Sequence, residues 1–310
     1  MPSPTPFREN LRGIAAISAC NLLFLINDTM MKLVSTELPL GEILLLRGIA
    51  ATLWLGLIVI LTGTPVRLAV LANRAVFWRT VSEVLSAYLY LVALFHIPIA
   101  NSNTILQVVP LMVTAGAALF LREQVGWRRW TAIAVGFVGV LIVIRPGLAG
   151  FNEFSVLALA AAGFIALRDM TTRIMPVGVP TLLIALLTAV VVGISGPVYA
   201  VIVGEHWIMP SGRAIALLVA ASIFLIGGYL TAVDFMRHGD IAVTAPFRYT
   251  VIIWAVIAGY VVWREVPDTL MIVGTLIIIV TGIYTFYRER QLAMQGAIAP
   301  PDEEPNRPLA

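Results

Sequence analysis

Of the 310 residues in the chain, 60% are hydrophobic and only 12% carry charge, and the mean hydropathy of +0.95 predicts an integral membrane protein. The net charge of +3 does not indicate nucleic-acid binding, because the basic residues are scattered singly between apolar blocks. The single cysteine, Cys20, excludes an intrachain disulfide, a CxxC redox pair and a thiolate metal site.

Ten apolar stretches are long enough to cross a membrane, since a hydrocarbon core about 30 Å thick requires roughly 20 residues of helix. In chain order they are 12–31, 41–61, 75–95, 98–121, 126–145, 154–174, 178–203, 211–236, 240–263 and 267–287. The first is predicted to be a retained span and not a signal peptide. Residues 1–11 and 288–310 are predicted to be tails, and the second to be disordered because its prolines and charges cannot build a core.

The basic residues outside the spans predict the orientation. With the amino terminus inside, thirteen arginines fall on the cytoplasmic side, and four basic residues fall on the other: Lys32, Arg145, Arg213 and Arg264. Because Lys and Arg in short links stay in the cytoplasm, both termini are expected there, which requires an even number of spans.

The two halves of the chain repeat the same charged positions. A shift of 142 residues places His96, Ile99, Ala100, Arg122 and Glu123 on His238, Ile241, Ala242, Arg264 and Glu265. A shift of 141 places Asp28 and Lys32 on Asp169 and Arg173. The sequence therefore predicts an all-α integral membrane fold of ten transmembrane helices in two five-helix repeats, 12–145 and 154–287. Because five is odd, the second repeat is inverted, which is an architecture of secondary transporters.

Several short motifs resemble those of one transporter family. They are LLLRGIAA with Arg47 in span 2, FLREQVGWRRW with Glu123 at the end of span 4, Gly139 sixteen residues later, and VVWREVPDTL with Glu265, followed by Gly274 and Gly282. Over residues 12–287 the chain resembles the ten-helix, EamA-type branch of the drug/metabolite transporter superfamily. The resemblance implies a central cavity lined mainly by helices 1, 3, 4, 6, 8 and 9, and a place in the bacterial inner membrane.

Polar side chains on single faces of four spans predict a shared polar interior. Glu83 lies near the middle of span 3, where a charge is unfavourable unless it faces protein or water. We expect Glu83 and Arg248, one from each half, to bind a polar or zwitterionic metabolite from opposite walls. The predicted substrate-binding residues are Glu83, Arg248, Tyr90, Gln107, Asn103, Tyr249, Asn21 and Trp254. In the alternative, Glu83 and Arg248 pair with each other or with link residues and only hold helices together.

Five further charged residues are expected to act in gating or in structure: Asp28, Lys32, Arg47, Asp169 and Arg173. Asp28 and Lys32 are four residues apart, and so are Asp169 and Arg173, which is the i, i+4 spacing of ion pairs on one helix. Arg47 lies so near the start of span 2 that its side chain can reach the membrane interface. Glu123 and Glu265 are expected to cap helix ends. Glu83 is the candidate for proton coupling, although nothing in the sequence shows coupling.

The predicted function is secondary-active or facilitative transport of a small polar metabolite, which can be aromatic, across the bacterial inner membrane by alternating access, with riboflavin uptake as the best single guess from the resemblance. Uptake of S-adenosylmethionine and efflux of amino acids or other metabolites are alternatives. A membrane-embedded enzyme is the non-transport alternative, although the sequence lacks HExxH, GxSxG and DDxxD. No catalytic residue, metal or cofactor is predicted. The expected partners are a small-molecule substrate and the lipid bilayer, with ion coupling and the choice of monomer or homodimer left open.

Overall fold

The computed structural model describes residues 7–65, 73–120, 126–148, 151–175, 179–237 and 245–298, and these contain helices but no strand. The α-helices are α1 (Phe7–Val34), α2 (Leu40–Leu61), α3 (Arg74–His96), α4 (Ile99–Leu106), α5 (Val109–Phe120), α6 (Trp127–Ile144), α7 (Phe154–Arg173), α8 (Thr181–Val203), α9 (Gly212–Arg237), α10 (Thr250–Ala258) and α11 (Thr269–Ile298). A 3-10 helix, Ala245–Tyr249, leads into α10, and a π-helix, Gly259–Trp263, continues it. The predicted all-α class is confirmed.

Within the described residues, nine segments are long and apolar enough to cross a membrane. The remaining long helix, α3, is less apolar because it carries Arg74, Arg79 and Glu83. We number ten spans in chain order: α1, α2, α3, α4 with α5, α6, α7, α8, α9, Ala245–Trp263, and α11. The chain is therefore a multi-pass membrane protein, and the span with the weakest apolar signal is the one that contributes Glu83.

Spans 4 and 9 are both interrupted, although the sequence predicted each as one helix. Span 4 breaks between α4 and α5 because Pro110 has no N–H to donate to Leu106 and its ring crowds that carbonyl. Gln107 donates instead to a carbonyl three residues back. Span 9 changes from 3-10 to α geometry between Tyr249 and Thr250. Gln107 and Tyr249 are 142 positions apart, so the two breaks coincide under the shift of the repeat.

The pairing of the helices has the two-fold exchange expected of two repeats. Span 1 packs along span 8, and span 3 packs along span 6. Spans 2 and 7, 4 and 9, and 5 and 10 pair with each other. Exchanging the halves converts the pair of spans 1 and 8 into the pair of spans 6 and 3 and leaves the other three pairs unchanged. The interface between the repeats therefore runs through the centre of the bundle.

Spans 2 and 7 cross in close backbone contact at glycines. A Cβ atom on Gly48 would lie 2.4 Å from the Cα atom of Gly193. A Cβ atom on Gly196 would lie 2.3 Å from the carbonyl oxygen of Gly41. Residues without a side chain let two helices approach this closely, as is common inside membranes. The crossing joins the first repeat directly to the second.

The links that follow the odd-numbered spans share one face of the membrane, because successive spans alternate in direction. We call this the closed face; its links are 35–39, 97–98, 145–148, 204–211 and 264–268. Two glutamates bind backbone N–H groups of the other repeat there. Glu205 accepts from Gly41 at 3.0 Å, and Glu42 accepts from Ile208 at 3.2 Å. These bonds tie the two repeats together.

Charged side chains add to the contacts of the closed face. Glu37 accepts from the hydroxyl and the backbone N–H of Ser211 at 2.9 and 2.8 Å, and these two hydrogen bonds lower the pKa of Glu37. Lys32 pairs with Glu265 at 3.2 Å. Arg145 pairs with Asp268. Each of these contacts joins a residue of the first repeat to one of the second.

The helices extend beyond both predicted membrane boundaries. α11 continues to Ile298, inside the tail 288–310 that was predicted to be disordered, and α1 begins at Phe7, inside the predicted tail 1–11. The predicted disorder is wrong for residues 288–298, because RERQLAMQ is rich in strong helix formers that prolong a helix whatever its polarity. Apolarity defines where a helix crosses the membrane, and it does not define where the helix ends.

The ion pair between Arg145 and Asp268 should make stability depend on pH. The hydrogen bond from Arg145 lowers the pKa of Asp268 in the folded protein. The ion pair therefore stabilises the folded protein fully above a pH of about 3.9, which is the pKa of an aspartate in the unfolded chain. This stabilisation is lost as the pH falls through the lower pKa that Asp268 has in the folded protein. Asp268→Asn keeps an acceptor for the backbone N–H of Met271. Because Asp268 is 56% exposed, we expect Asp268→Asn to lower the melting temperature at pH 7 by only about 1–3 °C.

Thermal unfolding in detergent between pH 7 and pH 3 measures this difference. The gap between wild type and Asp268→Asn should be constant down to about pH 4 and should narrow below it. In an Arg145→Gln background the gap should be much smaller at every pH. A gap that does not change with pH would contradict the assignment.

Candidate functional site

Glu83 forms an ion pair with Arg168, a residue of the other repeat. Its carboxylate oxygens lie 3.2 and 3.4 Å from Nη1 of Arg168, and Arg79 lies 4.0 Å away on the same helix. Arg168 also binds Asp169 at 2.8 Å. The Glu83 and Arg168 side chains are only 13% and 25% exposed, so most of the pair is out of water. The structure thus gives Glu83 a partner other than Arg248.

Asp28 belongs to a hydrogen-bonded group contributed by three spans. The hydroxyl of Tyr90 donates to one Asp28 oxygen at 2.5 Å, and the amide of Asn103 donates to that hydroxyl at 3.4 Å. The amide of Asn27 donates to the other Asp28 oxygen at 3.0 Å. Three residues that the sequence analysis singled out on spans 1, 3 and 4 therefore meet in one place.

Arg47 is half-buried on span 2 and faces the acids of its neighbours. It interacts electrostatically with Tyr229, Asp28 and Glu83. With the residues that the structure describes, its guanidinium makes no direct ion pair or side-chain hydrogen bond. The Arg47 side chain is thus within electrostatic range of groups on spans 1, 3 and 8. Tyr229, on α9, is an interior residue that the sequence analysis missed.

These side chains form two charged layers inside the membrane. At a helical rise of about 1.5 Å per residue, Asp28, Tyr90 and Arg47 lie about 9–11 Å from the closed-face ends of their helices. By the same measure, Glu83 and Arg168 lie about 20 Å from that face. Both layers fall within a hydrocarbon thickness of about 30 Å. Charged groups from spans 1, 2, 3 and 6 are thus collected in the membrane interior.

The side chain of Asn21 forms hydrogen bonds to the break in span 9. Its amide donates to the carbonyls of Phe247 and Arg248 at 3.1 and 3.0 Å and to the hydroxyl of Thr250 at 3.0 Å. Carbonyls at a helix end need such partners. The residue 141 positions after Asn21 is Ala162, which has no donor side chain. The break in span 4 therefore lacks the corresponding contact from span 6, and a role for Asn21 in binding substrate stays a prediction.

Two further predicted binding residues lie beside the helix breaks. Gln107 ends α4, where its amide is 3.5 Å from the carbonyl of Asn103. The side chain of Arg248 is half-buried and within electrostatic range of Cys20. Neither is part of the two charged layers, and their contact with substrate stays a prediction.

The two predicted aromatic ligands of span 9 are packed in apolar clusters. Tyr249 is buried against α11, where a Cβ atom on Gly282 would collide with its hydroxyl. Trp254 packs in a second apolar cluster. Both polar atoms are buried without a hydrogen-bond partner among the described residues. Stacking of either ring on a substrate would require span 9 to move.

Lys32 does not form the predicted helical pair with Asp28. Its ammonium donates to the carbonyl of Ile97 at 2.6 Å and pairs with Glu265. Glu265 also accepts from the backbone N–H of Ile99 at 3.1 Å, at the start of α4. Glu265 was predicted as a turn or cap residue of its own helix end, and the structure instead places its carboxylate at the start of α4 in the other repeat.

The predicted pair of Asp169 and Arg173 is also replaced. Asp169 binds the adjacent Arg168, while Arg173 is exposed at the last residue of α7. The sequence analysis chose Arg173 because it is four residues from Asp169, and it missed Arg168. The position of Arg168 inside an apolar span was the better indication of an interior charged residue. Several residues of the predicted repeat lie outside the described residues: Arg122, Glu123, His238, Ile241 and Ala242.

One known family matches the first half of the chain. The EamA-like transporter family matches residues 11–145. We call the matched segment, residues 11–145, the EamA-like domain. The match ends directly after α6, so the EamA-like domain comprises spans 1 to 5 and contains Asp28, Arg47 and Glu83.

Several curated relatives are named as transporters. An S-adenosylmethionine uptake transporter of Rickettsia conorii is 30% identical over 197 residues, which cover 63% of this chain and 65% of the relative. A pseudopaline exporter of Pseudomonas aeruginosa is 25% identical over 282 residues, covering 87% and 94%. A riboflavin transporter of Vibrio cholerae is 28% identical over 210 residues, covering 66% and 68%. The chain thus spans slightly less than two thirds of the Rickettsia relative, and the three named cargoes differ.

One solved crystal structure shares the fold beyond the EamA-like domain. It superposes with a TM-score of 0.57 at 18% identity, and the match covers 92% of this chain and 98% of the other. The arrangement of the helices described above therefore occurs in an observed protein.

Two surface grooves lie apart from the charged layers. One, of about 540 Å³, is lined by span 9 and α11, and the other, of about 380 Å³, by α11 and by α6 of the EamA-like domain. Their walls are largely apolar, and neither lining includes Asp28, Arg47, Glu83 or Arg168. Such walls suit lipid chains, so the charged layers remain the candidate site.

Proposed function

We propose that the protein is a secondary-active or facilitative transporter that moves a small zwitterionic metabolite across the bacterial inner membrane by alternating access. The pair between Glu83 of the first repeat and Arg168 of the second carries this proposal. Ionisable groups at this depth are unfavourable, and where they are present they commonly serve a substrate or ion pathway. Because the pair bridges the repeats, any motion of one repeat against the other acts on it directly.

Inverted repeats explain how access alternates. Two such units can pack in two nearly equivalent ways, each of which closes a different face. In the conformation described above, the bonds of Glu37, Lys32 and Arg145 hold one face shut. Rocking of one repeat against the other would break these bonds and open a path to the charged layers. If both termini are cytoplasmic, as the basic residues predict, this face is the periplasmic one.

The charges favour a zwitterionic substrate over a neutral one. Carboxylates bind ammonium groups, and guanidinium groups bind carboxylates in a bidentate manner. S-adenosylmethionine, the cargo named for the Rickettsia relative, has an aminocarboxylate head, whereas the ring system of riboflavin is uncharged at neutral pH. We therefore propose an aminocarboxylate metabolite in place of the riboflavin that the resemblance alone had favoured.

Cross-linking the closed face tests alternating access. In Glu37→Cys/Ser211→Cys, a short thiol-reactive cross-linker should join the two repeats, because the native side chains are in hydrogen-bond contact. We expect the joined protein in proteoliposomes to lose at least about 90% of its flux, and reduction of a cleavable linker to restore it. Radiolabelled S-adenosylmethionine and riboflavin serve as the transport probes.

A matched pair within one link controls for the chemistry. Thr62 is exposed, Thr64 is half-buried, and their hydroxyls are 2.7 Å apart, so Thr62→Cys/Thr64→Cys can be cross-linked without joining the repeats. This variant should keep its flux. Full flux in the cross-linked Glu37→Cys/Ser211→Cys protein would contradict the alternating-access proposal.

A further inference from the structure

Among the described residues, only the smaller of the two surface grooves has a charged side chain in its wall. This groove, of about 380 Å³, lies between α6 and α11, and we call it the α6–α11 groove. Its wall includes Trp127, Arg128 and Val135 of α6, and Val280 and Tyr284 of α11. The larger groove is lined by apolar, aromatic and hydroxyl side chains. The α6–α11 groove therefore joins a basic group to an apolar surface.

The two ends of the α6–α11 groove lie at different depths in the membrane. At a helical rise of about 1.5 Å per residue, Trp127 and Arg128 lie about 24–26 Å from the closed-face end of α6, and Val135 lies about 14 Å from it. On α11, Tyr284 and Val280 lie about 23 and 17 Å from the closed-face end. In a hydrocarbon core about 30 Å thick, the groove thus runs from the interface opposite the closed face to the middle of the membrane.

Each end of the groove has the side chains that suit one part of a phospholipid. At the interfacial end, the guanidinium of Arg128 is exposed and lies 5.5 Å from the centre of the Trp127 ring. Trp127 and Tyr284 are of the two residue types that prefer the level of the lipid head groups. At the inner end, Val135 and Val280 are exposed on spanning helices, where the surrounding medium consists of acyl chains.

We propose that the α6–α11 groove binds one anionic phospholipid, with its phosphate on Arg128 and one acyl chain along Val135 and Val280. A guanidinium group donates two parallel hydrogen bonds to a phosphate. Basic pockets between transmembrane helices bind acidic head groups on the cytoplasmic side, which is the side of Arg128 if both termini are cytoplasmic. A zwitterionic lipid fits less well, because its ammonium group opposes the charge of Arg128. This site does not depend on the transport function.

The groove lies beside a close contact that fixes the positions of its two helices. A Cβ atom on Gly274 would lie 2.6 Å from the carbonyl oxygen of Gly139, and one on Gly136 would lie 3.0 Å from the hydroxyl of Thr281. α6 and α11 are therefore held together at the inner end of the groove without any lipid. Because the walls are already in place, binding orders few additional protein groups.

The repeat does not account for the arginine in this groove. A shift of 142 residues places Trp127 and Arg128 on Thr269 and Leu270, at the closed-face start of α11. The second repeat therefore has no basic residue at the corresponding position, and the five-helix unit does not require one there. The proposed lipid site accordingly belongs to one leaflet of the membrane only.

Native mass spectrometry of the purified full-length protein tests the site, because it counts bound lipids and protein copies together. The probes are dioleoyl phosphatidylglycerol and dioleoyl phosphatidylcholine, which share their acyl chains and differ in net charge. We expect the first phosphatidylglycerol to bind about fivefold more tightly than the first phosphatidylcholine, the factor typical of one arginine near the membrane surface. Arg128→Gln should remove this preference. Arg74→Gln, which removes an exposed arginine of the same face outside the groove, should keep it.

Filling the groove distinguishes a lipid site from a surface charge alone. Val280→Trp places a large ring at the inner end and should weaken binding of the first phosphatidylglycerol, whereas Val198→Trp, at an exposed valine outside both grooves, should not. The assignment is overturned if wild type binds the two lipids equally, or if Arg128→Gln and Arg74→Gln lose the preference alike. A dimer that Val280→Trp converts to a monomer would also overturn it, because a second copy would then cover the groove.

Discussion

Replacing Arg168 with alanine should lower the free energy of unfolding by about 3 kcal/mol and abolish transport. Arg168 is the only cation within 3.5 Å of Glu83 and Asp169 among the described residues, so its loss leaves two carboxylates without that partner. Removing one member of a buried ionic pair typically destabilises by about 3–5 kcal/mol. The lower end applies here because Arg168 remains 25% exposed.

The matched variants should follow a fixed order. Glu83→Gln leaves Arg168 paired with Asp169 and should destabilise by about 1 kcal/mol. Arg168→Lys keeps the charge without the planar fork and should fall between the two. Arg173→Ala, which removes an exposed arginine five residues along the same helix, should change stability by less than about 0.5 kcal/mol. Equal effects of Arg168→Ala and Arg173→Ala would show that the interior pair does not stabilise the fold.

A double-mutant cycle isolates the contact between the repeats. Glu83→Ala/Arg168→Ala should destabilise less than the sum of the two single variants, because each single substitution leaves an unpaired charge that the double substitution removes. Chemical denaturation in detergent gives the stabilities, and proteoliposome flux gives the activity. Strict additivity would mean that the two residues do not interact.

Replacing Gly48 with alanine should destabilise the protein by about 1–3 kcal/mol, through overpacking between the repeats. The added Cβ atom would lie 2.4 Å from the Cα atom of Gly193, a backbone atom that no rotamer change can move away. Spans 2 and 7 would have to separate. Because Arg47 is the neighbouring residue, the separation should also reduce flux.

Gly56→Ala on the same helix is the control, since a Cβ atom there has no neighbour within 4 Å. It makes the same chemical change where nothing obstructs the added Cβ atom, and it should leave stability unchanged or raise it by up to about 1 kcal/mol, because alanine favours a helix over glycine. Thermal unfolding of the two variants and wild type in one detergent measures both effects. If Gly48→Ala were as stable as Gly56→Ala, the close crossing of spans 2 and 7 would be incorrect.

Most of the fold could be predicted from apolar length and from the charged repeat. Ten spans follow from stretches of about 20 apolar residues, and inversion follows from an odd number of spans per repeat. The breaks in spans 4 and 9 were not predicted, although Pro110 is visible in the sequence, because an apolar stretch with one proline can also continue as a kinked helix. The start of α1 and the end of α11 were not predicted, because helix-forming residues continue the helix beyond the apolar stretch that crosses the membrane.

The contacts of the candidate site were harder to predict than its composition. Asp28, Tyr90 and Asn103 were each identified as polar residues in apolar spans, and they do meet. The partners of Glu83 and Lys32 were missed, because spacing along one helix reports only neighbours on that helix. Arg168 and Glu265 reach them from the other repeat, and one sequence contains no direct signal of which spans pack together.

Under the alternating access proposed above, the different hydrogen bonding at the two helix breaks should favour one conformation over its mirror arrangement. Asn21 makes three hydrogen bonds to span 9, whereas Ala162 can make none to span 4. The amide of Asn21 has two N–H groups, and at about 0.5–1.5 kcal/mol per hydrogen bond two bonds would favour one conformation over its mirror arrangement by about fivefold or more. Without bound substrate, the protein would therefore be mainly in the conformation that opens to one side of the membrane. The change of conformation without substrate would then be slower in one direction than in the other.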